Sequence, residues 1–124
     1  MKTVRHKKAK AKFRPKLWKY KIDVSPMLSE LSYSENIDPD KLSKFLKKLI
    51  AEVERVADEA GRKGDENVRE ALDDWLFSYR DILLDYAENI DEYFVPDIVN
   101  EDIDPALEEL YDIGDNYRIW IEGW

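Results

Sequence analysis

Apolar and polar positions alternate along W-K-Y-K-I-D-V, putting Trp18, Tyr20, Ile22 and Val24 on one side and Lys19, Lys21 and Asp23 on the other. A period of two predicts a half-buried strand. The period then lengthens. Leu42, Phe45, Leu46, Leu49, Ile50, Val53, Val56, Ala57 and Ala60 fall in one arc at 100° per residue, which predicts a helix of about 39–60 ended by Gly61 and Gly64. Val68, Leu72, Trp75, Leu76, Tyr79, Ile82, Leu83, Tyr86, Ile90, Tyr93 and Phe94 line one side of a second helix, about 66–94, started by Asp65 and stopped at Val95-Pro96. The short link Gly61–Gly64 makes these two helices an antiparallel pair whose apolar sides face each other.

Three dipeptides, Ser25-Pro26, Asp38-Pro39 and Asp104-Pro105, carry a capping oxygen followed by proline at the first helical position. They predict starts for a short helix of about 26–33, for the 39–60 helix, and for one of about 105–112 closed by Gly114. Tyr117, Ile119 and Ile121 alternate with Arg118, Trp120 and Glu122 as a second strand. Two lone strands leave backbone groups unpaired, so they are expected to pair with each other. The fold class expected is α+β and mainly helical: the antiparallel helix pair, short flanking helices and a small ribbon joining the N- and C-terminal strands.

Composition supports one folded unit. The chain of 124 residues has 44% apolar residues, with four Trp, seven Tyr and four Phe interleaved with the acids, unlike a disordered acidic segment. Residues 1–12, basic and without periodic apolar positions, read as a mobile arm ahead of a single domain of 13–124. Absence of cysteine removes thiolate chemistry and Cys-based metal sites. No apolar run reaches the roughly 18 residues of a membrane span, so a soluble, cytoplasmic protein is expected.

Charge changes the picture most. The first 21 residues hold ten Lys/Arg and no acid; residues 65–124 hold nineteen Asp/Glu against three arginines; the zones carry +10, −2 and −16. Such separation selects oppositely charged partners. On a wheel through the second helix, Glu70, Asp74, Asp81, Asp85, Glu88 and Glu92 lie in one stripe with few cations to pair them. Phe77 and Leu84, seven residues apart on that polar side, form a narrow apolar ridge suited to docking or to burial under another element.

The expected function is a non-enzymatic inhibitor or adaptor, of an immunity, antitoxin or anti-defence kind, using this acidic face and ridge against a basic protein surface. Nucleic-acid mimicry is a specific form of it. Carboxylates at about 6 Å along the helix are sparse beside phosphates at about 3.4 Å, so a second row from Asp97 to Asp112 is required. The alternative is nucleic-acid association through the arm, where Arg5, Lys7, Lys8, Lys10, Lys12 and Arg14 are suited to neutralise phosphates. His6 is a tail residue. Asp73-Asp74 and Asp85 with Glu88 are carboxylate pairs but lie on an exposed side, and Asn100–Asp104 departs from a calcium loop because Pro105 stands where glycine is needed. No catalytic residue, cofactor or metal is assigned.

Overall fold

The computed structural model describes residues 17–24 and 38–122. Along the chain run β1 (Tyr20–Asp23), α1 (Pro39–Arg62), α2 (Glu66–Glu88), a 3₁₀ turn (Ile90–Glu92), α3 (Val95–Ile98), a π-helical turn (Val99–Ile103), α4 (Asp104–Tyr117) and β2 (Ile119–Glu122). The fold is mainly helical, with α1 and α2 closely packed and the two strands joined as a ribbon. The basic arm of 1–12 and the helix expected at 26–33 lie outside the described residues.

Asp38 caps α1 by accepting from the Asp40 amide at 3.0 Å, with Pro39 in the first turn. All nine apolar positions of its predicted arc are buried. The helix runs through Gly61 to Arg62, and the turn is made by Gly64 in the left-handed region at φ +76°. Its N-terminal end is tied to the far end of α2 by Ser43, whose hydroxyl donates to the Ala87 carbonyl at 2.6 Å.

Helix α2 ends at Glu88, six residues before the expected boundary. Asn89 is the cause. Its side-chain amide donates to both the carbonyl and the carboxylate of Asp85, offering the backbone an alternative to another helical turn. Tyr93 then folds back, edge-on against Tyr86 with ring centroids 4.7 Å apart and its hydroxyl donating to Asp85. Val95-Pro96 starts α3 instead of stopping α2. Asp65 stands in the cap position of α2 without a close side-chain cap bond; its carboxylate is taken chiefly by Lys19, at 2.8 Å, and by the Tyr20 hydroxyl, at 3.1 Å, with the Val68 amide of the first turn a lesser partner.

The C-terminal helix is longer than expected. Asp104 follows the π-helical turn without a break, as the first residue of the helix with Ile103 in the cap position, and the helix continues past Gly114 to Tyr117. Arg118, at φ 61° and ψ 46°, ends it, donating its N–H to the Gly114 carbonyl. Gly114 is buried mid-helix because a Cβ there meets the Ile119 carbonyl oxygen at 2.6 Å: the chain turns at Arg118 and lays β2 against the helix it has just left. Helix α4 is pinned to α2 by Trp75, whose indole N–H donates to the Ala106 carbonyl at 2.8 Å.

The strands are parallel, with Tyr20 opposite Ile119 and Asp23 opposite Glu122. Parallel pairing requires a long crossover, here supplied by the helices. Tyr20, Ile22 and Val24 face the core as expected. Trp18 does not join them: half-buried ahead of the ladder, it packs edge-on against Trp120 at 5.3 Å, on the opposite face. Trp120, expected on the polar side of β2, is therefore only 3% exposed. The outer edge of β1 is closed by α1, where Glu52 accepts from the Asp23 amide at 3.0 Å and Arg55 donates to the Lys21 carbonyl at 2.8 Å.

Candidate carboxylate face on helix α2

The apolar side of α2 is filled by Val68, Leu72, Trp75, Leu83, Tyr86 and Ala87. At 100° per residue, the opposite side is centred within about 30° of Phe77. Phe77 is accordingly 93% exposed, the most exposed large apolar side chain among the described residues. Leu84 lies about 20° further round, toward the flank where Arg80 reaches Glu54 of α1 at 2.8 Å. That small rotation half-buries Leu84 against the core. The expected ridge is thus one exposed phenylalanine and one structural leucine.

Around Phe77 stand the carboxylates. Glu70, Asp74, Asp81, Asp85 and Glu88 are exposed on α2, whereas Glu92 falls in the 3₁₀ turn and leaves the stripe because the helix has already ended. Their surroundings differ. The Asp81 side chain is 98% exposed and 3.3 Å from Arg80. Asp85 is held by Asn89 and Tyr93. Glu70, Asp74 and Glu88 make no ion pair among the described residues. Asp73 pairs with Arg69 at 3.4 Å.

A groove of about 310 Å³ runs between α2 and α4. Glu70, Asp74 and Ser78 form one wall, Glu109, Ile113 and Tyr117 the other, with Trp75 at its base, and no cation lines it among the described residues. Glu109 thus adds a carboxylate from α4 beside the α2 stripe, and Tyr79 donates its hydroxyl to it. A second groove, about 520 Å³, lies between β1 and α1. It is electrically mixed: Lys19, Lys21, Lys48 and Arg55 face Asp23, Glu52 and Glu59. Arg55 holds Glu52 through two hydrogen bonds at 3.1 Å, which keeps the Glu52 carboxyl below its ordinary range.

Sequence reasoning missed the tyrosines. Tyr79, Tyr86 and Tyr93 recur every seven residues and donate to Glu109, Asp102 and Asp85. In a zone nearly without cations, phenols supply the donors that hold carboxylates in place. Burial, and then the bond to Asp102, raises the Tyr86 phenol; the bond to Asp85 raises Tyr93; burial, and then Asp65, pushes Tyr20 up to about 12. The Asp65 carboxyl is held below its ordinary range, first by Lys19. The seven-residue tyrosine spacing opposite the acid-rich segment 97–112 was the available signal.

Arg5, Lys7, Lys8, Lys10, Lys12 and Arg14 lie outside the described residues. Among the described residues, no three or more His, Cys, Asp or Glu side chains converge as a metal site requires, and no helix is long and apolar enough to cross a membrane. Compared with protein-family models, with curated proteins and with solved structures, the chain gives no match.

Proposed function

We propose that this protein is a non-enzymatic interaction protein, an inhibitor or adaptor of an immunity, antitoxin or anti-defence kind, whose α2 face docks on a basic surface of a target protein. Phe77 carries the reading. A phenylalanine 93% exposed at the centre of a regular helix does nothing for the fold, yet burying it in a partner contributes about 2 kcal/mol. Glu70, Asp74, Asp81 and Glu88 surround it with negative charge, an arrangement that steers a basic surface in and then anchors it. The five α2 carboxylates from Glu70 to Glu88 spread over about 27 Å, far sparser than phosphates on a strand. Glu109 thickens the row at one end only. The target surface that fits is therefore a basic patch with an apolar pocket, and phosphate mimicry is confined to the Glu70–Glu109 end.

The test uses the full chain as bait against source lysate, beside Phe77→Ser and the double variant Asp74→Lys, Asp81→Lys. A basic protein retained by the parent chain and lost from both variants is the expected result. Equal retention by all three, with circular dichroism unchanged, would sink the proposal.

A further inference from the structure

Lys44, Lys47, Lys48 and Ala51 follow one another at steps of three, one and three residues, which puts them on one face of α1. All four are exposed, and the three lysines make no ion pair among the described residues. Glu70, Asp73, Asp74 and Phe77 repeat the same steps on α2 and are exposed likewise. Glu70 and Asp74 make no ion pair among the described residues, and Asp73 has an exposed one with Arg69. The two faces carry opposite charge in one pattern, each ending in an uncharged residue that is small on α1 and large on α2.

Within one copy these faces cannot meet. The helices run antiparallel, with Ser43 bonded to Ala87 and Arg80 to Glu54, so the lysines lie beside the C-terminal half of α2. Glu70 stands 17 residues before Ala87, about 26 Å along the axis. Like charges one turn apart repel, so each row costs its own helix something that a facing row of opposite sign offsets.

We propose that the α1 lysine face of one copy packs on the α2 carboxylate face of a second copy, the two helices running in the same direction. Lys44 then meets Glu70, and Lys47 and Lys48 meet Asp74 and Asp73. Phe77, 93% exposed in one copy, lies over Ala51, whose short side chain lets the axes approach to about 8–10 Å. The opposite direction, with Phe77 still on Ala51, sets Lys47 against Arg80. Beyond this two-turn contact, Glu54 and Arg80 already hold each other at 2.8 Å within their own copy.

This contact rests on the reading that the α2 face takes a basic surface. It adds that one such surface is the protein's own, so that a target must compete with self-association. Each copy offers both faces, so the contact is heterologous and builds open chains or rings instead of a symmetric pair. The net charge of −8 opposes association, which makes the contact weak and concentration-dependent.

Sedimentation velocity on the purified full chain reads it directly. At about 0.05 M salt the sedimentation coefficient should rise with concentration; at about 0.5 M, where the screening length is a few ångströms, it should stay constant. One variant carries Lys44→Glu, Lys47→Glu and Lys48→Glu, another Glu70→Lys, Asp73→Lys and Asp74→Lys. Either alone should self-associate at least about tenfold more weakly, and an equimolar mixture should recover the association, because each variant again finds an opposite face. Ala51→Glu leaves all six charges in place, sets a carboxylate under Phe77 and should weaken association as well.

A parent chain that remains monomeric to about 1 mM at the lower salt overturns the inference. So does parent-like association in any of the three variants, or a mixture that stays dissociated. None of these measurements involves the external target: their failure leaves the Phe77 reading standing, and a failed lysate capture leaves them untouched.

Discussion

Replacing Gly114 by alanine separates two accounts of that residue by the sign of one number. A glycine with ordinary helical φ in a helix interior is normally a weakness, and alanine there stabilises by about 1 kcal/mol. Here the added methyl lands 2.6 Å from the Ile119 carbonyl oxygen, a backbone atom of β2 that cannot rotate away, and 3.5 Å from Cδ1 of Ile121. Ordinary contact needs about 3.4 Å, so β2 must move off α4 by several tenths of an ångström, at an overpacking cost of about 1–3 kcal/mol. An approach of 2.6 Å to a backbone atom puts the cost in the upper part of that range, about 2–3 kcal/mol, so after the helix gain the expected net loss is about 1–2 kcal/mol, or about 4–8 °C in Tm for a chain of this size.

Gly61→Ala is the internal control. Its methyl meets only the side chain of Arg69, which is free to swing from its exposed pairing with Asp73, so stability should hold or rise by up to about 1 kcal/mol. Urea denaturation followed by far-ultraviolet circular dichroism measures both. Gly114→Ala at or above the parent midpoint, with Gly61→Ala behaving as stated, would refute the close approach of β2 to α4.

Phe77→Ser should change stability by less than about 0.5 kcal/mol, whereas Leu84→Ala, seven residues on, should cost about 1–2 kcal/mol; urea midpoints compare them directly. Trp75→Phe removes the buried donor to the Ala106 carbonyl and should lower stability by about 1–2 kcal/mol, read by thermal denaturation. At alkaline pH, unfolded tyrosines ionise near 10 while folded Tyr20 holds its proton to about 12, so its stabilisation is full below pH 10 and lost as pH rises toward 12. Absorbance at 295 nm should show Tyr20, Tyr86 and Tyr93 ionising late. The Asp65 carboxyl runs the other way: depressed in the fold, it stabilises above pH about 4 and stops doing so as acid protonates it, so Asp65→Asn should flatten the acid limb of the stability profile.

What periodicity reports, the sequence shows well. The α1 arc, the Tyr20–Ile22–Val24 alternation and the pairing of the two distant strands follow from which positions must leave water. Periodicity says nothing about strand direction, and the parallel register emerges only once the helices have taken up their crossover path. It also failed where one polar group decided the outcome: Asn89 ended α2 through bonds to Asp85, although the apolar spacing continued to Phe94. At the candidate face, the carboxylate stripe was legible from spacing alone, but the separation of Phe77 from Leu84 was not, because about 20° of rotation matters only when the position of α1 is known. Glu109 and the tyrosine donors depend on how α4 lies across α2, which is a matter of packing rather than local pattern.

The ribbon also sets the order in which this molecule can be assembled. Tyr20 waits for Ile119, 99 positions later, while α1 and α2 meet across a three-residue turn. Closing a loop of that size costs about 4 kcal/mol of chain entropy before any strand contact forms. On a ribosome, β1 therefore leaves the tunnel long before its mate exists, and α1's Glu52 and Arg55 are the first groups able to occupy its backbone. The helical hairpin is expected to form early and the ribbon last, so mutations at Tyr20 or Ile119 should change the unfolding rate and leave the folding rate nearly untouched.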